Sequence, residues 1–191
     1  EQKLVEGGFH FPLGKNHIHW RDENSVWVCP AWHPQQLTRA GYPSEVWLLE
    51  RNQSFEEATP VFKTEPGFGP RHIVFAHNSN YAYLAGELSS NLSVLKYDAK
   101  TGCFSLEQTV KTIPSTWTEH NGAAAIRISA DDRFVYVSNR GHNSLAQFEI
   151  HDDHMVDFVE FVSTEGDFPR DFDIDPTGRF VVCVNQNTDN G

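Results

Sequence analysis

The sequence predicts an all-β protein, a β-propeller of four-stranded antiparallel blades, and three observations lead there. A short apolar run, a tight polar turn and a second apolar run recur along the chain. Gly86, Asn139 and Asn185 hold the same place in successive copies, about 53 and 46 residues apart. The runs are rich in β-branched and aromatic residues, and none shows a sustained helical period. A period of roughly 40–50 residues built from short strands marks propeller blades.

Taken in order, residues 1–14 read as the outer strand of a preceding blade, ending at the turn-like Pro12-Leu13-Gly14. The first unit, about 15–66, has runs at His17–Trp20, Val26–Val28 and Glu45–Leu49, with a turn at Asp22-Glu23-Asn24. Within it Gln53–Glu57 reads as loop. The second unit, about 67–119, folds Arg71–Phe75 back on Tyr81–Gly86 and continues through Leu92–Tyr97. The third, about 120–165, pairs Ala124–Ser129 with Phe134–Arg140 across Asp131-Asp132-Arg133, then runs through Ser144–Glu149. The fourth, about 166–191, turns at Asp175-Pro176-Thr177-Gly178 and stops where its predecessors go on to a third strand. Both Asp-containing segments read as hairpin turns and nothing more. The four units form one propeller domain over 1–191, read as part of a longer ring.

Composition narrows the function. With 26 acidic and 15 basic residues the formal charge is −11, which argues against a nucleic-acid surface. A small anion remains compatible, because a few arginines can be focused in one concave mouth. No apolar run is long enough to cross a bilayer, so no membrane partner is expected. Cys29, Cys103 and Cys183 are isolated and odd in number, as in a reduced, cytoplasmic protein.

Strand geometry then places a site. Each hairpin returns the chain to its starting end, so Arg71 and Glu87 meet there, as do Arg170 with Gln186 and Ala124 with Arg140. Equivalent positions on successive blades share height and radius. Arg71, Glu87, Arg140 and Arg170 therefore converge on one channel mouth, with His17 or His19 facing the same region. Such a set binds an anion and moves a proton. His17-Ile18-His19 puts two imidazoles on one strand face, but no third ligand stands at strand spacing, so no metal is expected. His72 and His77 read as packing and turn residues, and His33, His151 and His154 as loop residues. Asn139-Arg140-Gly141-His142 shapes a turn in which Gly141 supplies freedom in φ.

Several linked motifs also carry a family resemblance. Gly67-Phe68-Gly69-Pro70-Arg71-His72-Ile73-Val74-Phe75, Glu87-Leu88-Ser89-Ser90, Ser138–Ser144, Phe168-Pro169-Arg170-Asp171-Phe172 and Asn185-Gln186-Asn187 resemble the seven-bladed propeller lactonases. Within that family they look most like bacterial 6-phosphogluconolactonases, whose relatives include a carboxymuconate-lactonising enzyme. The resemblance is close over 67–191 and loose over 15–50. It implies hydrolysis of 6-phosphogluconolactone in the pentose phosphate route, without a cofactor. It also implies catalytic roles for Arg71, Glu87, Arg170 and a first-unit histidine, preferably His17 with His19 as the alternative; from their place at the mouth, Arg140 and His19 are read as substrate-binding residues. Two departures stand out: Gly86 replaces the family's usual Asn, and Cys29–Pro34 with Gly41-Tyr42-Pro43 adds loop residues. The competing readings are a cycloisomerase acting on a dicarboxylate and a non-catalytic propeller that binds a ligand or protein.

Overall fold

The computed structural model describes residues 8–9, 17–30, 37 and 43–189, and the reading of 1–14 as an outer strand falls almost wholly outside them. The first sheet orders β1 (His17–Asp22), β2 (Ser25–Cys29), β3 (Glu45–Glu50) and β4 (Thr59–Lys63) side by side. The second does the same with β5 (Pro70–Phe75), β6 (Tyr81–Gly86), β7 (Asn91–Tyr97) and β8 (Phe104–Lys111). The third repeats it with β9 (Gly122–Ile128), β10 (Phe134–Arg140), β11 (Ser144–Ile150) and β12 (Val156–Ser163). A two-stranded sheet of β13 (Pro169–Ile174) and β14 (Val181–Asn185) follows. Every pairing is antiparallel, as the all-β propeller reading requires.

The sheets stack face to face. Tyr83, Leu92 and Val94 of the second sheet pack on Ile126, Val135, Val137 and Phe148 of the third. One interface earlier, Trp27, Leu48 and Val61 meet Phe75 and Phe104, and the Trp27 and Phe75 rings stack at 5.0 Å. One interface later, Ala125 and Leu145 meet Phe172. Each large side chain buried this way contributes about 1.5–3 kcal/mol. β5 abuts β9 and β9 abuts β13, so the first strand is the inner one in the second, third and fourth sheets. The run Gly122-Ala123-Ala124-Ala125 keeps β9 slim enough to be flanked on both sides.

The repeat extends to the backbone. Ser90, Asn143 and Asp189 all take left-handed φ, +51°, +55° and +48°, at the same place in successive sheets. Two details depart from expectation. Phe55–Glu57 forms one 3-10 turn rather than plain loop, its entry fixed by Ser54 N–H donating to the Glu57 carboxylate at 2.8 Å. Asp132 does more than turn the chain. At φ +56° it holds its carboxylate against His77, accepting the backbone N–H at 2.8 Å and pairing with Nδ1 at 2.6 Å. His77 thus ties the second sheet to the third.

The hairpin turns depend on ionised aspartates. The Ser129 hydroxyl holds the Asp131 pKa below its ordinary value, and the Thr177 hydroxyl with the Phe180 N–H does the same for Asp175. A depressed carboxylate adds stability above its unfolded pKa and loses it as pH falls through the folded one. Thermal unfolding midpoints are therefore expected to drop below about pH 4, and an Asp131→Asn/Asp175→Asn variant to show a shallower drop. An unchanged profile would contradict this role.

Candidate functional site: a cationic mouth around Glu87

The two inner arginines owe their direction to β-bulges. Pro70 pairs with Gly86 and His72 with Ala85, leaving Arg71 as the extra residue between them. Pro169 pairs with Asn185 and Asp171 with Val184, leaving Arg170 extra in the same way. A bulge re-aims the side chain it carries, and proline, lacking an N–H, is tolerated there. The returning strands bring Glu87, Arg140 and Gln186 to the same end. Glu87 N–H donates to Gly69 O at 2.7 Å, Gln186 N–H to Phe168 O at 3.0 Å, and Arg140 pairs with Gly122.

Glu87 lies between two guanidinium groups. Arg71 Nε approaches its Oε2 at 3.6 Å, and Arg140 Nη2 donates to its Oε1. Arg71 also reaches His72, its Nη1 3.2 Å from Nδ1, so His72 supports the site instead of merely packing. Arg140 lies deep in the mouth. It is 7% exposed, its Nε donates to Gly122 O at 3.1 Å and its Nη2 to Ala123 O at 3.3 Å. The Phe168 ring covers the guanidinium at 5.2 Å. Arg170 is exposed and donates through Nη1 to Gln186 Oε1 at 3.1 Å. Burial first, then the charges of Arg140 and Arg170, lowers the Arg71 pKa, while Glu87 pulls the other way. Arg71, Arg140 and Arg170 thus stand close to the carboxylates of Glu87 and Asp171, a cationic excess that favours a further anion.

The first sheet contributes His19, which shares with Arg71 the wall of a cavity of about 30 Å3, beside Trp27, Cys29 and Phe104. Burial pushes the Cys29 thiol up to about 12, so it stays protonated and inert. His17 opens β1 opposite Cys29, but its side chain lies outside the described residues. Among the described residues no group of His, Cys, Asp and Glu is arranged to hold a metal ion.

Sequence reasoning missed two arrangements. Arg127 clasps Asp171 at 3.0 Å and Asp173 at 3.3 Å, joining the inner strands β9 and β13. His142 donates its backbone N–H to Asn121 Oδ1, sets Nδ1 2.7 Å from Ser144 Oγ, and lies edge-on to Trp117 and Phe161. Burial there lowers its pKa. The alternation of polar and apolar residues in β9 and β13 was the only available signal for the first; nothing local signalled the second.

Residues 45–191 match the family described as a seven-bladed β-propeller lactonase. The chain belongs to that family. It is 47% identical over 126 residues to a 6-phosphogluconolactonase of Bacillus subtilis, covering 65% of this chain and 36% of that one. An uncharacterised protein of Staphylococcus epidermidis is 37% identical over 194 residues, covering 97% and 54%. The chain therefore spans about a third to a half of the curated relatives it matches. A Lactobacillus plantarum crystal structure superposes with TM-score 0.75 at 47% identity, covering 91% of this chain and 49% of that one. The periplasmic gluconolactonase of Pseudomonas aeruginosa gives TM-score 0.69 at 29% identity, covering 86% and 57%.

The departure at Gly86 has a steric cause. A Cβ there would sit 2.9 Å from the Phe68 ring and 2.5 Å from Ser89 Oγ, so Phe68 fills the space that Asn139 and Asn185 occupy in their own sheets.

Proposed function

We propose that the full-length protein hydrolyses 6-phosphogluconolactone to 6-phosphogluconate, as the lactonase step of the oxidative pentose phosphate route. The observation that carries this is the Arg71–Glu87–Arg140 cluster with Arg170 at its rim, in a chain 47% identical to a 6-phosphogluconolactonase over 126 residues. Arg170, exposed and held by the Gln186 amide, grips the substrate phosphate, which its planar fork suits. Arg71, partly buried and aimed by its bulge, donates to the ring carbonyl oxygen as negative charge builds there. A preorganised donor of that kind is worth about 3–4 kcal/mol.

Water attacks the carbonyl and gives its proton to a first-strand imidazole. His19 is the choice because it shares the cavity wall with Arg71, and such a base contributes about 10²–10⁴ in rate. The ring C–O bond then breaks, the imidazolium returns the proton to the leaving alkoxide, and the carboxylic acid formed releases its remaining proton to solvent to give the carboxylate. Glu87 holds Arg71 in place and needs no proton transfer of its own. The unpaired Cys29, Cys103 and Cys183 suit a reducing compartment such as the cytoplasm.

A substrate panel tests the assignment. The phosphorylated δ-lactone is expected to turn over faster than unphosphorylated gluconolactone, and muconate-type substrates not at all. Preference for muconates would favour a cycloisomerase, and inactivity of folded protein on every substrate a binding module.

A further inference from the structure

Arg140 was expected to bind substrate, yet its surroundings suit another task. Its guanidinium has five donors in a fixed fork. Two of its nitrogens are committed to the Gly122 and Ala123 carbonyls, and Nη2 also reaches Glu87. Gly122 makes this possible, because a Cβ there would lie 3.0 Å from Nη2. Phe168 closes the other side, and does so from φ +69°, a strained conformation for a bulky residue, more so before proline. At the equivalent place in the second sheet, Gly69 adopts φ +63° without that cost. Strain of this kind persists where surrounding structure enforces it.

We infer that Arg140 is a positioning residue: it fixes Glu87 from beneath, Glu87 in turn fixes Arg71, and Arg140 never touches substrate. The chain of contacts runs from the β9 carbonyls through Arg140 Nη2 to Glu87 Oε1, and from Glu87 Oε2 to Arg71 Nε. Both carboxylate oxygens are thereby engaged on guanidinium groups, which makes Glu87 an orienter and leaves the proton-accepting role to an imidazole. The mouth is then built in two tiers. The lower one is a clamp of Arg140, Gly122 and Phe168 with the arginine buried, and the upper one presents Arg71 and Arg170. This rests on the lactonase reading for its kinetic consequences, but its geometric content does not.

Full-length Arg140→Met, Arg140→Lys and Gly122→Ala proteins test it through kinetics and crystal structures. Arg140→Met is expected to lower kcat on 6-phosphogluconolactone about 100-fold while KM moves less than threefold. Lys restores one charged donor but cannot span Glu87 and both carbonyls, so Arg140→Lys should recover roughly a tenth of the kcat. Gly122→Ala leaves every charged group present and nudges the guanidinium, and is expected to lower kcat severalfold at constant KM. In the Arg140→Met crystal structure the Glu87 carboxylate should leave Arg71 by more than an ångström. A KM-dominated loss in Arg140→Lys, or a Glu87 carboxylate that stays in place in Arg140→Met, overturns the inference. If wild-type protein has no lactonase activity, the crystal structures decide alone. If Arg140→Met does not fold, Arg140→Lys and Gly122→Ala carry both readouts.

Discussion

Replacing Arg71 by alanine is expected to lower kcat on 6-phosphogluconolactone by about 10²–10³, the cost of losing one preorganised donor to a developing oxyanion. KM should change far less, because the interaction is made in the transition state rather than in the bound ground state. The fold should survive. Glu87 keeps its contact with Arg140, so no carboxylate is left buried and alone. Arg170→Ala is expected to differ in kind. Arg170 is exposed and, among the described residues, hydrogen-bonded to Gln186 alone at 3.1 Å, so its removal should raise KM by one to two orders of magnitude with a smaller effect on kcat. The pair separates charge stabilisation from phosphate binding. Steady-state kinetics on both variants, with circular dichroism as the check on folding, would show whether the two effects divide this way. Equal losses in both parameters for both variants would contradict the division.

Gly141→Ala is expected to be among the most destabilising single substitutions in the described residues. Gly141 has φ +123°, and a Cβ there would stand 2.2 Å from His120 O and 3.1 Å from Asn121 Cα. Those are backbone atoms of the segment leading into β9, which cannot swing aside as a side-chain tip does. A displaced Asn121 would also lose its bonds to Ser90 Oγ at 2.8 Å and Asn139 Oδ1 at 3.2 Å, part of a buried polar network. The cost should exceed about 3 kcal/mol, beyond the usual range for point substitutions. Gly178→Ala is the fitting comparison: its φ is +68° but nothing lies within 4 Å of the added Cβ. That change should cost only the left-handed backbone term of about 1–2 kcal/mol. Urea unfolding of the two variants checks the difference, and similar midpoints would contradict it.

Much of this architecture is legible in the sequence because a repeat constrains itself. Once Gly86, Asn139 and Asn185 are aligned, the hairpins follow, and with them the meeting of Arg71 with Glu87 and of Arg170 with Gln186. The bulges were not legible. A single extra residue in one strand leaves the hydrophobic pattern almost unchanged, yet it decides where Arg71 and Arg170 point. Contacts between sheets were equally hidden. His77 with Asp132, and Arg127 with Asp171 and Asp173, are 55, 44 and 46 residues apart and depend on how neighbouring inner strands sit beside one another. The depth of Arg140 was not legible either, because height along the axis follows from spacing, whereas depth follows from the small side chains at Gly122 and Ala123. The 3-10 turn at Phe55–Glu57 is too short to leave a periodic signal.

The most direct test of the mouth as a lactonase site is the rate of 6-phosphogluconolactone loss above its spontaneous hydrolysis, with full-length protein beside its Arg71→Ala variant. Acceleration by the wild-type protein that falls about 10²–10³-fold in the folded variant is the predicted result. Equal acceleration by both, or none by wild-type protein shown to be folded, would contradict the proposed chemistry at this mouth.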